Sequence, residues 1–287
     1  MTGQMQKNML GFIWMMLYSC LMGCSSAPLR EKVQKDSTQT PVAKLEVVID
    51  KFAQQPFIYD SSKKYVYLSF DDGPQKGTID CYNLCKQEKI KATFFMVGLH
   101  AARKSDGKKI VAMIRDSYPQ ILLANHSYTH ANDRYHFFYE HPLMAEQDFY
   151  KAQDSMHVPY KIVRLPGNSA WAGEGEIKAS GLVKPVTRLL NSAGYTVIGW
   201  DVEWNFNHKN ARPVQSPQKL ATQVDSAFAK NKTHVMNHLV ILTHDRMFQR
   251  EGDADSLAKF IHLLKQNPRY VLETLDHYPG LKKPVHP

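Results

Sequence analysis

The sequence predicts an α/β fold, a closed or nearly closed barrel of parallel strands and helices. Three observations predict it: apolar, β-rich runs alternate with helical patterns, seven such units follow one another, and nothing is left over for a second sheet. The runs are Tyr65–Phe70, Ala92–Val97, Gln120–Ala124, Tyr160–Leu165, Tyr195–Trp200, His238–Thr243 and Tyr270–Leu275. Their Val, Ile, Phe and Tyr content is that of buried strands. Between them the spacing predicts helices over Thr78–Glu88, Ala101–Ser117, His141–Ser155, Val183–Ala193, Pro217–Lys230 and Asp253–Gln266. A doubly wound open sheet is the alternative arrangement of the same elements. The segment Gly167–Pro185 carries Gly167, Gly173, Gly175 and Gly181 and reads as a long loop; long loops in compact domains are often functional.

The 287 residues suit one large α/β domain or two small ones, and a hydrophobic content of 43% supplies a sizeable core. The formal net charge of +9 favours acidic partners such as anionic glycans or membrane surfaces. No Lys/Arg run is interleaved with aromatics and no nucleic-acid motif occurs, so the plainer reading of the charge is a generally basic surface and nucleic acid is not expected as a partner. A monomer is expected.

The first residues read as an export signal. Lys7 is the only charge before an apolar stretch from Met9 to Met22, too short to span a bilayer, which takes about 20 residues. The stretch ends in Leu21-Met22-Gly23-Cys24, which resembles the bacterial lipobox. Residues 1–23 are thus expected to be a lipoprotein signal peptide and Cys24 the lipidated residue. Acyl chains hold a protein to a membrane by about 0.8 kcal/mol per buried CH₂. Ser25, with no Asp after the Cys, resembles an outer-membrane address facing the periplasm. Residues 24–61 read as the lipidated Cys and a flexible tether, rich in Ser, Thr, Gln, Lys and Pro over 25–45. Residues 62–280 read as a catalytic domain and 281–287 as a tail. Of the remaining cysteines, Cys81 and Cys85 lie four apart on a helix; that is poor disulfide geometry even in an oxidising compartment, so two thiols packed on one buried face are expected.

The chemistry-bearing residues follow the strands. Asp71-Asp72-Gly73-Pro74 follows the first, His126-Ser127-Tyr128-Thr129-His130 the third; Arg164 ends the fourth; Asp201, Glu203 and Trp204 follow the fifth; His244-Asp245 ends the sixth. In a β/α barrel these ends share the face on which active sites form. Adjacent carboxylates repel and are costly to bury without a cation or an arginine. His126 and His130 are spaced so that one helical turn puts both imidazoles on one side. His234 and His238 share that spacing but lie before and at the start of a strand, and read as structural. Two histidines and one carboxylate make a three-ligand site with open positions, which suits catalytic zinc, whose bound water has its pKa lowered to about 7. One Asp can bind metal and the other is free to act as base.

These residues resemble a known family. Ser69-Phe70-Asp71-Asp72-Gly73-Pro74, His126-Ser127-Tyr128-Thr129-His130 and Leu242-Thr243-His244 are similar, in order and spacing, to the motifs of the NodB-homology polysaccharide deacetylases, carbohydrate esterase family four. The resemblance covers roughly residues 62–277. It implies a distorted (β/α)7 barrel as a single catalytic domain. It implies Asp72, His126 and His130 as ligands of a divalent metal, zinc by default, with cobalt or nickel fitting the same ligands. It implies Asp71 as general base, Arg164 as its partner, His244 as general acid and Asp201 as the residue that orients and charges His244. Two departures stand out. The family's third motif carries an aromatic after the proline, whereas here Arg164-Leu165-Pro166 is followed by Gly167, whose N–H can still serve an oxyanion while one wall of the sugar subsite is missing or supplied elsewhere. In the fourth motif, Asp201-Val202-Glu203-Trp204, either Asp201 or Glu203 could support His244. Trp171 and Trp204 are candidates for the substrate surface. The resemblance implies removal of N-acetyl groups from peptidoglycan or a secreted N-acetylglucosamine polymer. O-acetyl esterase action on an acetylated glycan, or a catalytically silent glycan-binding lipoprotein, are the rival readings.

Overall fold

Strand β1 (Lys64–Gly73) is the central element, buried along almost its whole length. The structure, a computed structural model, describes residues 57–282. Cys24, the signal peptide and the tether up to residue 56 lie outside them, as does most of the expected C-terminal tail. In chain order the other elements are α1 (Thr78–Gln87), β2 (Ala92–Met96), α2 (Gly98–Arg103), α3 (Gly107–Asp116), β3 (Ile121–Asn125), α4 (Tyr135–Glu140), α5 (Pro142–Met156), β4 (Ile162–Val163), β5 (Ala170–Trp171), β6 (Lys178–Ala179), α6 (Lys184–Ser192), β7 (Thr196–Val197), β8 (Val202–Glu203), α7 (Pro217–Ala229), β9 (His238–His244), α8 (Glu251–Lys265) and β10 (Tyr270–Leu272). Among the described residues no helix is long and apolar enough to cross a membrane.

The main sheet is parallel in every pairing and runs β7-β4-β3-β2-β1-β9-β8, with β10 joined to the start of β1. Its end strands, β7 and β8, do not pair with each other. The architecture is therefore a distorted β/α barrel open on one side. Parallel strands covered on both faces read as near-continuous apolar runs, which is why the strands stand out in the sequence. Alternate residues of β1 serve different cores, because successive side chains point to opposite faces. Val66, Leu68 and Phe70 pack outward against Cys81, Cys85, Ile114, Leu257 and Phe260 of the helices. Tyr65 and Tyr67 point inward with Phe95, Leu122, Ala124, Ile162, Ile198 and Val240, filling the barrel's interior. The inward-facing series of β1 continues through Ser69 to Asp71.

Several element boundaries differ from the sequence pattern. The expected helix Ala101–Ser117 is two helices, α2 and α3, which meet closely at Gly107; a Cβ there would lie 2.4 Å from the Ala101 carbonyl oxygen. The expected strand Tyr195–Trp200 is only Thr196–Val197, and a separate strand, β8, begins two residues beyond its expected end on the β9 edge. The chain between them passes tightly at Gly199, where a Cβ would sit 2.5 Å from Ser169 Oγ and 2.8 Å from the Trp171 ring. The expected loop Gly167–Pro185 contains the antiparallel β5–β6 ladder and the start of α6. Cys81 and Cys85 are free thiols, both buried on α1.

His238, at the start of β9, lies stacked on Tyr65 with ring centroids 5.0 Å apart. Its Nδ1–H donates to the Tyr67 hydroxyl oxygen at 2.9 Å, and the Tyr67 O–H donates to the His277 carbonyl. Burial lowers its pKa to about 4. A histidine whose folded pKa lies below its unfolded value, about 6.5, binds its proton more readily unfolded. Its contribution is present above pH 6.5 and is lost as the pH falls toward 4. Replacing His238 by Gln is expected to flatten the fall in denaturation midpoint between pH 7 and pH 4; an unchanged slope would show that other groups set the acid lability.

Candidate active site

The C-terminal ends of β1, β3, β4 and β9 bring together Asp71, Asp72, His126, His130, Arg164 and His244. In-register pairing sets much of this: Asp71 lies beside His244 across β1 and β9. Arg164 N donates to Asn125 O at 3.1 Å, which sets Arg164 next to the residue preceding His126.

Asp71 is only 2% exposed and receives Arg164 Nη1 at 2.8 Å. Arg164 is itself fully buried. Nη1 also donates to Ser69 Oγ, Nη2 to the Gly199 carbonyl at 3.0 Å and Nε to the Ile198 carbonyl at 3.3 Å. Its guanidinium lies 4.2 Å over the Phe95 ring. Burial pulls its pKa down, and the Asp71 charge and hydrogen bond push it back up. A guanidinium stays charged under such treatment, and its planar fork suits this many acceptors.

Asp72 has a left-handed backbone, φ 76°, rare for a residue with a side chain and a common mark of a functional constraint. Its carbonyl accepts from His100 Nδ1 at 2.7 Å. Its Oδ1 faces His130 Nε2 at 3.1 Å and His126 Nε2 at 3.4 Å, and its Oδ2 faces His244 Nε2 at 4.0 Å. Burial opposes ionisation of this carboxyl, yet His126, His130 and His244 hold it well below the usual carboxylate range. His126 Nδ1–H donates to the Arg164 carbonyl at 2.9 Å, which fixes the tautomer and leaves the Nε2 lone pair turned to Asp72. Burial lowers the His126 pKa, but Asp71, Asp72 and the Arg164 carbonyl together raise it. Burial lowers that of His244 against the pull of Asp72 and Asp71.

His126 and His130 do not share a helical turn. The chain between them is a loop with Ser127 at φ 68°, followed by four consecutive left-handed residues, His130, Ala131, Asn132 and Asp133, at φ 53°, 56°, 47° and 57°. Local hydrogen bonds hold it: Ser127 Oγ accepts from His130 N at 3.0 Å, and Asp148 Oδ2 accepts from the backbone of Tyr128 and Thr129. The imidazoles still converge, with ring centroids 5.1 Å apart.

Asp72, His126 and His130 each offer a ligand atom within 4.8 Å of the others. Asp72 Oδ1 is buried with no hydrogen-bond partner among the described residues. Lone pairs converging without donors are costly in a buried site, and a divalent cation is what this donor set fits.

Other expected residues are placed differently. Asp201 does not reach His244; its Oδ1 accepts from His234 N at 2.7 Å and its Oδ2 from Val240 N at 2.8 Å. Paired beside Val240, it is four residues below His244 on the neighbouring strand, and burial raises its pKa to about 6. Glu203 adds charge near His244 without hydrogen-bonding it, and no carboxylate sits on the buried His244 Nδ1. Trp204 is 0% exposed, packed between Phe248 and Phe260 with its Nε1 donating to the Gln215 carbonyl. Trp171 is buried, stacked on His234 at 4.2 Å and near Tyr278, in the interior cluster that holds Tyr65. Neither tryptophan is a substrate surface: each is consumed by packing. The rings beside the site are Tyr135, edge-on to His130 at 5.7 Å, and Phe206, edge-on to His244 at 4.9 Å. Gly167, φ 65°, packs against the Tyr135 ring, and its N–H donates no hydrogen bond among the described residues. The sequence carried no signal for Tyr135, Phe206 or His100, since all three act through loop and helix geometry.

The fold defines a class, the parallel β/α barrel open on one side. The chain superposes on a family 4 carbohydrate esterase from Streptomyces lividans in complex with acetate with a TM-score of 0.54 at 22% identity, covering 76% of this chain and 95% of that one. The catalytic domain of peptidoglycan N-acetylglucosamine deacetylase from Eubacterium rectale gives a TM-score of 0.56 at 23% identity, covering 82% and 99%. Residues 59–170 match the family model described as polysaccharide deacetylase. The chitin disaccharide deacetylase of Vibrio alginolyticus is 26% identical, over 79% of this chain and 74% of its own length. The peptidoglycan-N-acetylglucosamine deacetylase of Bacillus cereus is 26% identical over 71% of each. The chain is thus similar, over residues 59–170, to the polysaccharide deacetylase family model, and the relatives it resembles are named deacetylases.

Removing the guanidinium leaves Asp71 buried and unpaired. Arg164→Met is therefore expected to lower the unfolding free energy by about 3–5 kcal/mol, read by denaturant titration. Arg164→Lys should recover only part, because one ammonium cannot reach Ser69, Asp71 and two carbonyls together. A loss under about 1 kcal/mol would mean the pair is worth no more than a surface one.

Proposed function

We propose that this chain is a metal-dependent deacetylase that removes N-acetyl groups from a cell-envelope or secreted polysaccharide, peptidoglycan or an N-acetylglucosamine polymer. What carries the reading is the juxtaposition of the Asp72–His126–His130 group with the buried Asp71–Arg164 pair and with His244. The names of the Vibrio and Bacillus relatives support the substrate class. When bound, a divalent cation, zinc first, would polarise the acetamide carbonyl and acidify a water molecule. Asp72, His126 and His130 would hold it. Asp71 takes the proton of the attacking water, and Arg164, paired with it at 2.8 Å, keeps that carboxylate aimed. The Gly167 N–H, which donates no hydrogen bond among the described residues, would stabilise the oxyanion. His244 donates a proton to the nitrogen, without which the amine is a poor leaving group. Asp201 takes no part in orienting His244, since its two oxygens are engaged by backbone N–H groups.

Purified residues 25–287, incubated with zinc and N-acetylglucosamine oligomers, are expected to release acetate. Release should vanish on chelation and fall by at least about 100-fold in Asp71→Asn, the scale of a lost general base. One bound metal per chain should be lost in His130→Ala. Acetate only from O-acetylated xylan would make the enzyme an esterase. Stoichiometric metal with no acetate from any glycan would leave a silent binder.

We also propose, on the sequence around Leu21–Cys24, that the protein is exported and held by lipid on Cys24, facing the periplasm. Fatty-acid labelling in cells should mark the wild type and not Cys24→Ser; equal labelling of both would end that reading.

A further inference from the structure

We infer that Tyr135 is the aromatic wall of the sugar slot, standing in for the side chain absent at Gly167 and working opposite Phe206. The inference rests on the deacetylase reading for its substrate class but on separate residues. A saccharide site needs an aromatic face, because the C–H side of a pyranose is apolar and a slot lined by rings fixes its orientation. Trp171 and Trp204 are buried elsewhere, and residue 167 has no side chain.

The geometry shows why Tyr135 fills that place. A Cβ at Gly167 would lie 3.2–3.3 Å from Cδ1, Cε1 and Cζ of Tyr135, so the Tyr135 ring occupies the space a side chain there would enter. The backbone at Gly167, φ 65°, also disfavours any side chain. The same ring stands at 86° to His130, and Phe206 stands at 65° to His244. His130 and His244 face opposite oxygens of Asp72. The two rings thus bracket the Asp72 carboxylate, one on the metal-ligand side and one on the side of the proton donor. Both are partly exposed, unlike the tryptophans.

Tyr135 is also held firmly. The four left-handed residues His130–Asp133 join the ligand His130 to α4, so the ring cannot drift independently of the imidazole it packs on. Such backbone is costly and persists where surroundings enforce it. The phenol O–H reaches Asp133 Oδ1 at 3.3 Å.

The test uses zinc-loaded protein carrying Asp71→Asn, titrated calorimetrically with an N-acetylglucosamine tetramer. Adding Tyr135→Leu, which keeps bulk against Gly167 but offers no π-face, is expected to raise Kd roughly tenfold, and Phe206→Leu by a similar factor. Tyr135→Phe should bind within about threefold of the parent. In chains with Asp71 intact, Tyr135→Leu should raise KM more than it lowers kcat. Parent-like affinity in Tyr135→Leu overturns the assignment, as does a parent that binds no tetramer. Equal losses in Tyr135→Phe and Tyr135→Leu would overturn the ring as the recognition element. Binding that depends on Tyr135 in a chain that releases no acetate would sink the deacetylase reading and keep the slot.

Discussion

Everything at the mouth of the barrel depends on how the protein buries two adjacent carboxylates at the end of its central strand. Asp71 and Asp72 follow a run of apolar residues whose burial drives the sheet together, so both are largely withdrawn from bulk water. Chain geometry separates them. Asp71 continues the alternation of β1 and points into the barrel, where Arg164 meets it. Asp72 departs from that alternation through its left-handed backbone and turns to the histidines. Two neighbours in sequence thereby acquire two environments, one neutralised by a fixed guanidinium and the other by imidazoles and, on the proposed reading, a cation. On the proposed reading, that division lets one carboxylate act on a proton while the other holds a charge.

The barrel interior supports this arrangement from below. Arg164 spends its donors on Ser69, Asp71, Ile198 and Gly199, which lie on β1 and in the segment just after β7. It therefore links the central strand to the far side of the sheet, next to the gap between β7 and β8. A hydrophobic residue of similar size could fill that volume, and buried ion pairs are often no better than such a replacement for stability alone. The pair makes sense as a device for position: Phe95 beneath the guanidinium and four acceptors around it leave Asp71 one orientation.

The legible part of the protein was the part written locally. Apolar runs bounded by polar strand ends located the strands, and the pairs Asp71-Asp72 and His126/His130 marked the candidate site because their chemistry is costly without a partner. What sequence did not carry was register and packing. Asp201 precedes a Trp and follows a strand, as a residue supporting His244 should, yet pairing with Val240 puts it several residues away and its oxygens on backbone N–H groups. Trp204 and Trp171 look like loop aromatics until Phe248 and Phe260 close on the one and His234 and Tyr278 on the other. The helical spacing of His126 and His130 gave the right neighbours for the wrong reason, since a left-handed turn brings them together. That same turn delivers Tyr135, which no periodicity could have marked.

A third carboxylate shows the charge economy of the region. Asp245 follows His244 and is completely buried close to Gly73, where a Cβ would fall 2.6 Å from its Oδ2. Burial pushes its pKa up, Thr78 lowers it by hydrogen bonding and the Asp72 charge raises it again, to about 8. Burial thus favours its protonated form over a third anion. Were it ionised, its charge would compete with Asp72 for the positive potential of the histidines and add to the repulsion that Arg164 must offset. Kept neutral and bonded to Thr78 at the start of α1, it ties β9 to the turn after β1 without disturbing that balance. The site thus handles its acids in three ways, by ion pairing, by ligand-type histidines and by protonation, and only the first two leave a negative charge where chemistry can use it.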